Sequence, residues 1–290
     1  VYHLIVNPEA GRGRTRALLP AVEAFLERYK WPFQRYLTTK SGDATEIACQ
    51  LPADANVLVL GGDGTLHEVA LACVNTPRTV GILPAGSGDD FAFGLGLPRD
   101  PLAVLSRLLP ERTRQVDVGR VNGVPFVNVF GVGFDADIAA AIRNAPGFIK
   151  GRAAYIYTIF RTLSKLQVQR VNVTVDGQAV YSGPSLLVTT HNGPRSGGSF
   201  RFAPDARVDD GALDVVVIGD FQRLSTVMML PRVIQGTHLR HPKIQLFRGQ
   251  RIEMTWEHPR PGHTEGELVA PERRFVIELL PKALHVFAAS

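Results

Sequence analysis

The stretch Asn56-Val57-Leu58-Val59-Leu60-Gly61-Gly62-Asp63-Gly64-Thr65 decides how the rest of the chain is read. Its apolar run reads as a short strand buried on both faces, the kind that parallel sheets contain. The three glycines that follow let the backbone turn sharply and approach a bulky anion. A helix starting directly after them offers unpaired N–H groups and a positive dipole end to phosphate. Thr65 and Glu68 stand at capping-box spacing, which supports a helix start here. A glycine turn by itself is a plain connection, but Asp63 tells against that. A carboxylate among phosphate-binding amides repels the ligand unless Mg²⁺, or a water bound to it, lies between them.

Working outward, the pattern alternates. A strand at Tyr2 to Val6 precedes a helix at Thr15 to Tyr29, a strand at Phe33 to Thr38 and a helix at Asp43 to Leu51. After the strand Asn56 to Leu60 come a helix from Thr65 to about Val74 and a strand at Thr79 to Leu83. Strands alternating with helices imply a parallel sheet covered on both faces, with ligands at the carboxyl ends of the strands.

Two more loops carry the same chemistry. Pro84-Ala85-Gly86-Ser87-Gly88-Asp89-Asp90 follows the next strand, with Ser87 a donor to phosphate and Asp90 a second acidic group for the same metal. Asn7-Pro8-Glu9-Ala10-Gly11-Arg12-Gly13-Arg14 follows the first strand and is glycine-rich and basic. Helix N-terminal charge is the structural alternative for Asp89 and Asp90 and supplies only about 0.3–1 kcal/mol. No Gly-x-x-x-x-Gly-Lys-Ser/Thr sequence occurs, which excludes a P-loop, and the dinucleotide spacing Gly-x-Gly-x-x-Gly is missing after these strands. What remains is a nucleotide site built from several short loops.

After Asp100-Pro101 strands dominate. Arg114 to Val121 and Val124 to Phe130 flank Asn122-Gly123, and Val171 to Val175 and Gln178 to Tyr181 flank Asp176-Gly177, both tight-turn dipeptides. Further strands are expected at Leu186 to Thr190, Leu213 to Ile218, Lys243 to Phe247, Arg251 to Trp256 and Phe275 to Leu279. Helices are expected near Ala136 to Arg143, Ala153 to Leu166 and Leu224 to Gln235. The expected architecture is an N-terminal α/β domain with a parallel sheet, residues 1–118, and a mostly antiparallel β-sandwich domain, residues 119–279. The segment from about 280 to 290 is a candidate to return to the first. A cleft between two joined domains is the default ligand site.

Composition narrows the classes. At 290 residues the chain can bury its own core, and Cys49 and Cys73 show neither zinc nor redox spacing, which fits a reducing, cytoplasmic setting. No apolar run approaches the roughly 20 residues of a membrane span, and Val1 to Val6 reads as a strand rather than a leader. The net charge of +5 arises entirely after residue 120, and no run interleaves basic and aromatic residues as nucleic-acid sites do. Of the eight histidines, His67, His191, His238, His241, His258 and His263 show no helical ligand spacing in an acidic context and read as surface or structural groups.

These residues resemble the diacylglycerol kinase catalytic domain family, which includes bacterial lipid kinases and the sphingosine and ceramide kinases. The resemblance rests on Asn7-Pro8 with Gly11, Thr38 followed by Gly42-Asp43-Ala44, Gly61 to Thr65 with His67-Glu68, and Gly86-Ser87-x-Asp89-Asp90-Phe91. It continues through Asp117-Val118-Gly119, Ala203-Pro204-Asp205-Ala206, Asp209-Asp210-Gly211-Ala212-Leu213-Asp214 and Glu265-Gly266-Glu267. A single Gly-Gly-Asp-Gly is shared with NAD kinases, but the ordered set is specific.

The resemblance implies transfer of phosphate from ATP to a lipid hydroxyl, diacylglycerol above all. It implies that Asn7, Pro8, Gly11, Arg12, Thr38, Gly61, Gly62, Asp63, Gly64, Thr65, Leu66, His67, Gly86 and Ser87 bind ATP. Asp63, Asp90 and Asp117 form an acidic network around Mg²⁺, and a structural metal sits on Asp210 with the main-chain carbonyls of Arg207 and Ala212. The acidic pair near the end of the second domain supplies the base for the hydroxyl proton: Glu267, which matches the family's final Glu, is preferred as the base, with Glu265, which stands where the family has Asp, in an orienting or metal-linked role. The exchange of the two roles, or two solvated glutamates in an exposed turn, are the alternatives. The family often has Asn at the place of Asp89 and Arg at the place of Phe93, a phosphate contact that Arg12, Arg16 or Arg152 would replace. Peripheral contact at the inner membrane face is implied; the helix near Ala153 to Leu166 either faces the bilayer or packs on the sheet, the commoner use of such a stripe, and a homodimer is left open. Competing readings are an NAD kinase or other soluble-acceptor kinase on the same scaffold, and a non-catalytic lipid- or nucleotide-binding protein.

Overall fold

The computed structural model describes residues 1–108, 112–142, 152–164 and 166–287, with no side chain described for residues 142 and 152–156. The chain divides into two compact units, Val1–Val118 with Leu280–Ser290, and Gly119–Leu279.

The first unit alternates as its sequence predicts. Its elements are β1 (Tyr2–Val6), α1 (Arg14–Arg28), β2 (Phe33–Leu37), α2 (Asp43–Gln50), β3 (Asn56–Gly61), α3 (Asp63–Cys73), β4 (Thr79–Pro84), α4 (Asp90–Gly94) and α5 (Pro101–Leu108). The strands pair in parallel in the order β2, β1, β3, β4. The last segment of the chain joins β4, again in parallel, through His285 opposite Thr79 and Val286 opposite Val80. Leu4, Ile5, Leu58, Leu60, Val80 and Leu83 are fully buried, as strands covered on both faces require. Edge strand β2 is largely exposed, and its Gln34 and Arg35 suit that place. Because β1, β3 and β4 run the same way, their carboxyl ends deliver the loops after Val6, Gly61 and Pro84 to one edge of the sheet.

The second unit takes over within β5 (Thr113–Val121) and continues with β6 (Val124–Phe126), β7 (Val129–Gly133), α6 (Phe134–Ile142) and α7 (Arg152–Leu163). There follow β8 (Gln169–Val175), β9 (Gln178–Ser185), β10 (Leu187–His191), β11 (Leu213–Ile218), α8 (Arg223–Gln235), β12 (Ile244–Gly249), β13 (Arg251–Thr264) and β14 (Glu267–Phe287). Antiparallel pairs join β12, β11, β10, β7 and β13 in that order, while β13 also pairs β8 and β14. Long strand β13 reaches both β7 and β8 because it shifts register between Thr255 and Arg260 and again between Arg260 and Gly262. Phe126, Phe130, Trp256 and Phe275 fill the core between the layers. A second core, with Phe134, Ile159, Phe202 and Met229, packs α6, α7 and α8 on the far side of the sheet.

Three expectations change. The run Val124 to Phe130 is two strands, broken at Val127-Asn128, where the N–H groups of Asn128 and Val129 leave the ladder and bond the side chain of Glu265. Arg251 to Trp256 and Phe275 to Leu279 are parts of much longer strands. Arg143 and Lys165 lie outside the described residues. Among the described residues no helix is long and apolar enough to cross a membrane.

Candidate active site

In the first unit the loops at the sheet edge are tied to one another by short bonds. Asn7 donates its N–H to the carbonyl of Leu60 at 3.1 Å and its Nδ2 to Oγ1 of Thr65 at 3.0 Å, so the first loop is fixed to the start of α3. After Pro8, Gly11 and Arg12 adopt left-handed conformations, with φ of 57 and 62°, and the backbone of Gly11 lies against the carbonyl of Ala85. Thr38 donates its N–H to the carbonyl of Val6 at 2.9 Å.

The tightest approach joins the two glycine loops. A Cβ on Gly86 would stand 2.6 Å from Cα of Gly62, and one on Gly62 would stand 3.1 Å from Cα of Gly86. Only glycine at both positions lets these backbones touch. Gly64, in the first turn of α3, faces open space. Leu66 and His67 are buried, whereas Ser87 is exposed at the loop tip.

Helix α3 begins at Asp63, with Gly62 as its cap and no side-chain capping bond. The expected capping box between Thr65 and Glu68 is therefore absent. Glu68 works elsewhere: its carboxylate accepts from Oγ of Ser41 at 3.2 Å and from the N–H of Ala44 at 3.1 Å. Asp43 accepts from the N–H groups of Thr39 and Lys40 at 2.7 and 3.0 Å. Together they hold the loop after Thr38, a role that helix pairing within α3 concealed.

Asp63 turns back toward the start of α4. Its Oδ1 accepts the N–H of Asp90 at 2.7 Å and that of Phe91 at 3.2 Å. Burial, then the charges of Asp90 and Asp89, push the Asp63 carboxyl up to about 7. Asp89, itself raised by burial, accepts the N–H of Gly86 at 2.8 Å. Oδ1 of Asp117 accepts the N–H of Lys282 at 2.8 Å and pins the returning chain.

Among the described residues no three His, Cys, Asp or Glu side chains converge as a ready-made metal site. The corner formed by Asp63, Asp89 and Asp90 nevertheless suits Mg²⁺, whose habit is one or two carboxylates completed by water and substrate phosphates. Two buried carboxylates, Asp89 and Asp90, beside the half-buried Asp63 make a concentration of negative charge that a divalent cation relieves.

The Asp210 site does not fit a metal. Nη2 of Arg248 lies 2.5 Å from Oδ2 of Asp210, and the N–H of Ala212 donates to Oδ1 at 3.3 Å. Arg248 also reaches Asp214 at 3.3 Å, and Arg207 pairs with Asp209 at 3.6 Å. The carboxylate expected to bind a cation already has one. Of the arginines expected to compensate for Phe93, Arg16 is paired with Glu9, Arg12 is exposed in the first loop, and the side chain of Arg152 lies outside the described ones.

In the second unit, Glu265 and Gly266 form the two-residue turn between β13 and β14, with φ of 49 and 89° and Thr264 paired to Glu267. These are the values of a primed hairpin turn. The segment is not extended, so the two glutamates part ways around a corner instead of alternating along a strand. Oε1 of Glu265 accepts the N–H groups of Asn128 and Val129 at 2.8 and 3.1 Å. Glu267 is exposed at the first position of β14.

Behind the turn lies a buried pair that the sequence did not reveal. Nε2 of His263 is 2.8 Å from Oδ2 of Asp135, and Nδ1 accepts the N–H of Gly266 at 3.2 Å. Burial opposes charge on both, but the His263 ring holds Asp135 below its ordinary value, and Asp135 draws His263 above its own. Asp135 also borders an apolar cavity of about 50 Å³ lined by Phe134, Ile159, Leu187, Phe202, Met229 and their neighbours.

Comparison with known proteins shows the family and the fold. The family profile of the diacylglycerol kinase catalytic domain matches residues 1–121, and that of the YegS C-terminal NAD kinase beta sandwich-like domain matches residues 128–288. The chain is 28% identical over 270 residues to a diacylglycerol kinase of Staphylococcus carnosus, covering 91% of this chain and 87% of that protein. It is 27% identical over 269 residues to a diacylglycerol kinase of Bacillus subtilis, covering 91% and 88%. In fold it is similar to a diacylglycerol kinase from Bacillus anthracis, with a TM-score of 0.74, 24% identity, and 99% and 96% of the two chains covered. An NAD kinase from Archaeoglobus fulgidus in complex with ATP shares the fold at 13% identity, with a TM-score of 0.57 and 100% and 94% covered.

Proposed function

The chain belongs to the kinase family that joins a diacylglycerol kinase catalytic domain to a YegS-type C-terminal domain, and we propose that it phosphorylates the hydroxyl of a membrane lipid with ATP, diacylglycerol being the first candidate. The observation that carries the lipid reading is the apolar cavity of the second unit, since a dinucleotide acceptor calls for a polar one. Around it α7 exposes Tyr157 and Phe160, and α8 exposes Leu224 and Met228. With Arg161 and Arg223 exposed beside them, this surface suits peripheral contact with an anionic membrane.

Phosphoryl transfer depends on alignment and charge neutralisation more than on covalent help. In the first unit the N–H groups of the Gly61 to Gly64 and Gly86 to Ser87 loops, with Asn7, Gly11, Arg12 and Thr38, bind the triphosphate and its nucleoside. Asp63 and Asp90 would hold Mg²⁺, which would supply positive charge at the phosphates. In the second unit Glu267 receives the proton of the acceptor hydroxyl, and Glu265 holds the turn.

The test supplies ATP and Mg²⁺ with a mixed-micelle panel of diacylglycerol, monoacylglycerol, sphingoid base, ceramide and phosphatidylglycerol, alongside NAD. Labelled phosphate on a lipid product supports the proposal. Label on NAD alone, or ATP binding without transfer, overturns it.

A further inference from the structure

We propose that the buried Asp135 and His263 pair is the positioning device for the turn Glu265-Gly266, acting through a single atom, Nδ1 of His263. The inference rests on the reading that Glu267 takes the hydroxyl proton.

The pair asks for an explanation because its side chains are only 6 and 7% exposed. Burying such a pair costs desolvation that an apolar couple of similar size avoids. The sheet is built around it. His263 stands opposite Gly131 of β7, and a Cβ on Gly131 would fall 2.6 Å from Oδ2 of Asp135 and 2.7 Å from Nε2 of His263. Glycine in the middle of a sheet weakens it, and here its absence of side chain is what lets the pair meet.

The bonding pattern sets the tautomer. An ionised Asp135 only accepts, so the ring proton sits on Nε2. Nδ1 is then a bare acceptor, and it receives the N–H of Gly266 at 3.2 Å. That N–H, aimed at Nδ1, opposes a second ring proton, against the upward pull that Asp135 exerts on the ring. The turn it holds includes Glu265 in a left-handed conformation, which a residue with a side chain rarely adopts. Bonds on both turn residues fix the corner: Nδ1 of His263 on Gly266, and on Glu265 the N–H groups of Asn128 and Val129 with the carbonyl of Val129. Glu267 follows directly and pairs with Thr264 across the turn, so its direction is set by that corner. Without the Nδ1 anchor the corner relaxes and the base loses aim, which lowers kcat and leaves ATP binding in the other unit unchanged.

The test uses the fact that Asn places an oxygen where His has Nδ1, whereas Gln reaches the place of Nε2. On the best acceptor of the lipid panel, His263→Gln and Asp135→Asn should lose roughly 10- to 100-fold in kcat, the scale of a misplaced catalytic group, with KM for ATP unchanged. His263→Asn should recover most of that loss, and adding Asp135→Asn to it should cost nothing more. Loss that instead tracks melting temperature equally in all variants, or an unchanged kcat for His263→Gln, overturns the proposal. Glu267→Gln serves as the control: if it stays active, the base assignment fails on its own. Nitrogen-15 spectra of the histidine rings in the unmodified protein decide the tautomer whatever the variants do. A proton on Nε2 with a slowly exchanging Gly266 amide is expected, and a His263 proton on Nδ1 would overturn the inference.

Discussion

The guanidinium of Arg248 lies 2.5 Å from the carboxylate of Asp210. It fills the charge requirement of an Asp-Gly turn at which the family resemblance implies a divalent ion. Asp214 shares the same arginine, and burial pushes its carboxyl up to about 6 despite that partner. Asp210→Ala should therefore leave the Mg²⁺-dependent shift in melting temperature and the bound-metal content equal to those of the unmodified protein. The substitution should lower stability by no more than about 1 kcal/mol, since the pair is partly exposed. Differential scanning fluorimetry with and without chelator, with metal analysis, measures both. Loss of a bound ion would restore the metal site.

Asp63 is the reverse case, a carboxylate with too much negative charge around it. Its ordinary value is 3.8, and in the folded chain it stands at about 7. Below 3.8 both folded and unfolded chains carry the proton, and ionisation costs no stability. Between these values the unfolded chain ionises while the folded one does not, so stability falls as pH rises. The penalty levels off above 7 at about 4 kcal/mol at most. Asp63→Asn removes the charge but keeps an oxygen for the N–H groups of Asp90 and Phe91. In chelator it should melt above the unmodified protein at pH 8, with the gap closing toward pH 4, and it should lose transfer. A melt that does not depend on pH in this way, or retained transfer, would remove Asp63 from its assigned place.

The parallel sheet of the first unit was legible because Asn56 to Leu60 and Thr79 to Leu83 are short apolar runs ending in glycine loops. The second unit was harder to read. Pro259, Pro261 and Pro271 argue against strands, yet they fall where β13 and β14 slip register, at places that need no ladder N–H. Asn122-Gly123 and Asp176-Gly177 announced their hairpins, whereas Glu265-Gly266 adopts the same φ signs with a residue that seldom does. The Asp135 and His263 pair is 128 residues apart in sequence, so only the fold brings it together.

The glycines of the nucleotide loops separate packing from ligand approach. At Gly86 a methyl group meets Cα of Gly62 and Oδ1 of Asp89 at 2.6 and 2.8 Å. Gly86→Ala should destabilise by about 1–3 kcal/mol, as overpacking does. At Gly64 a methyl group meets nothing within 4 Å and sits in a helix. Gly64→Ala should keep or raise the melting temperature, by roughly 0.5–1 kcal/mol in stability, while weakening ATP binding measured by calorimetry. Unchanged ATP affinity in Gly64→Ala would mean that phosphate does not approach this backbone.

The two glutamates of the final turn are distinguished by what each already holds. Glu265 has Oε1 committed to the N–H groups of Asn128 and Val129, in a left-handed conformation that points it back at β7. A carboxylate oxygen so engaged is occupied in holding the turn. Gln at this position can still accept both bonds, so Glu265→Gln should slow transfer only mildly, by less than about 10-fold on the scale of general-base effects. Glu265→Ala strands two N–H groups and should lose about 1–3 kcal/mol of stability with the turn. Glu267, exposed at the head of β14, should behave oppositely: Glu267→Gln keeps the melt and ATP binding but lowers the rate by roughly 10²–10⁴-fold. Rate, melting temperature and ATP affinity measured on all three variants decide the matter. A large rate loss in Glu265→Gln beside a mild one in Glu267→Gln would exchange the roles, and mild effects in both would leave the turn a solvated corner with no part in proton transfer.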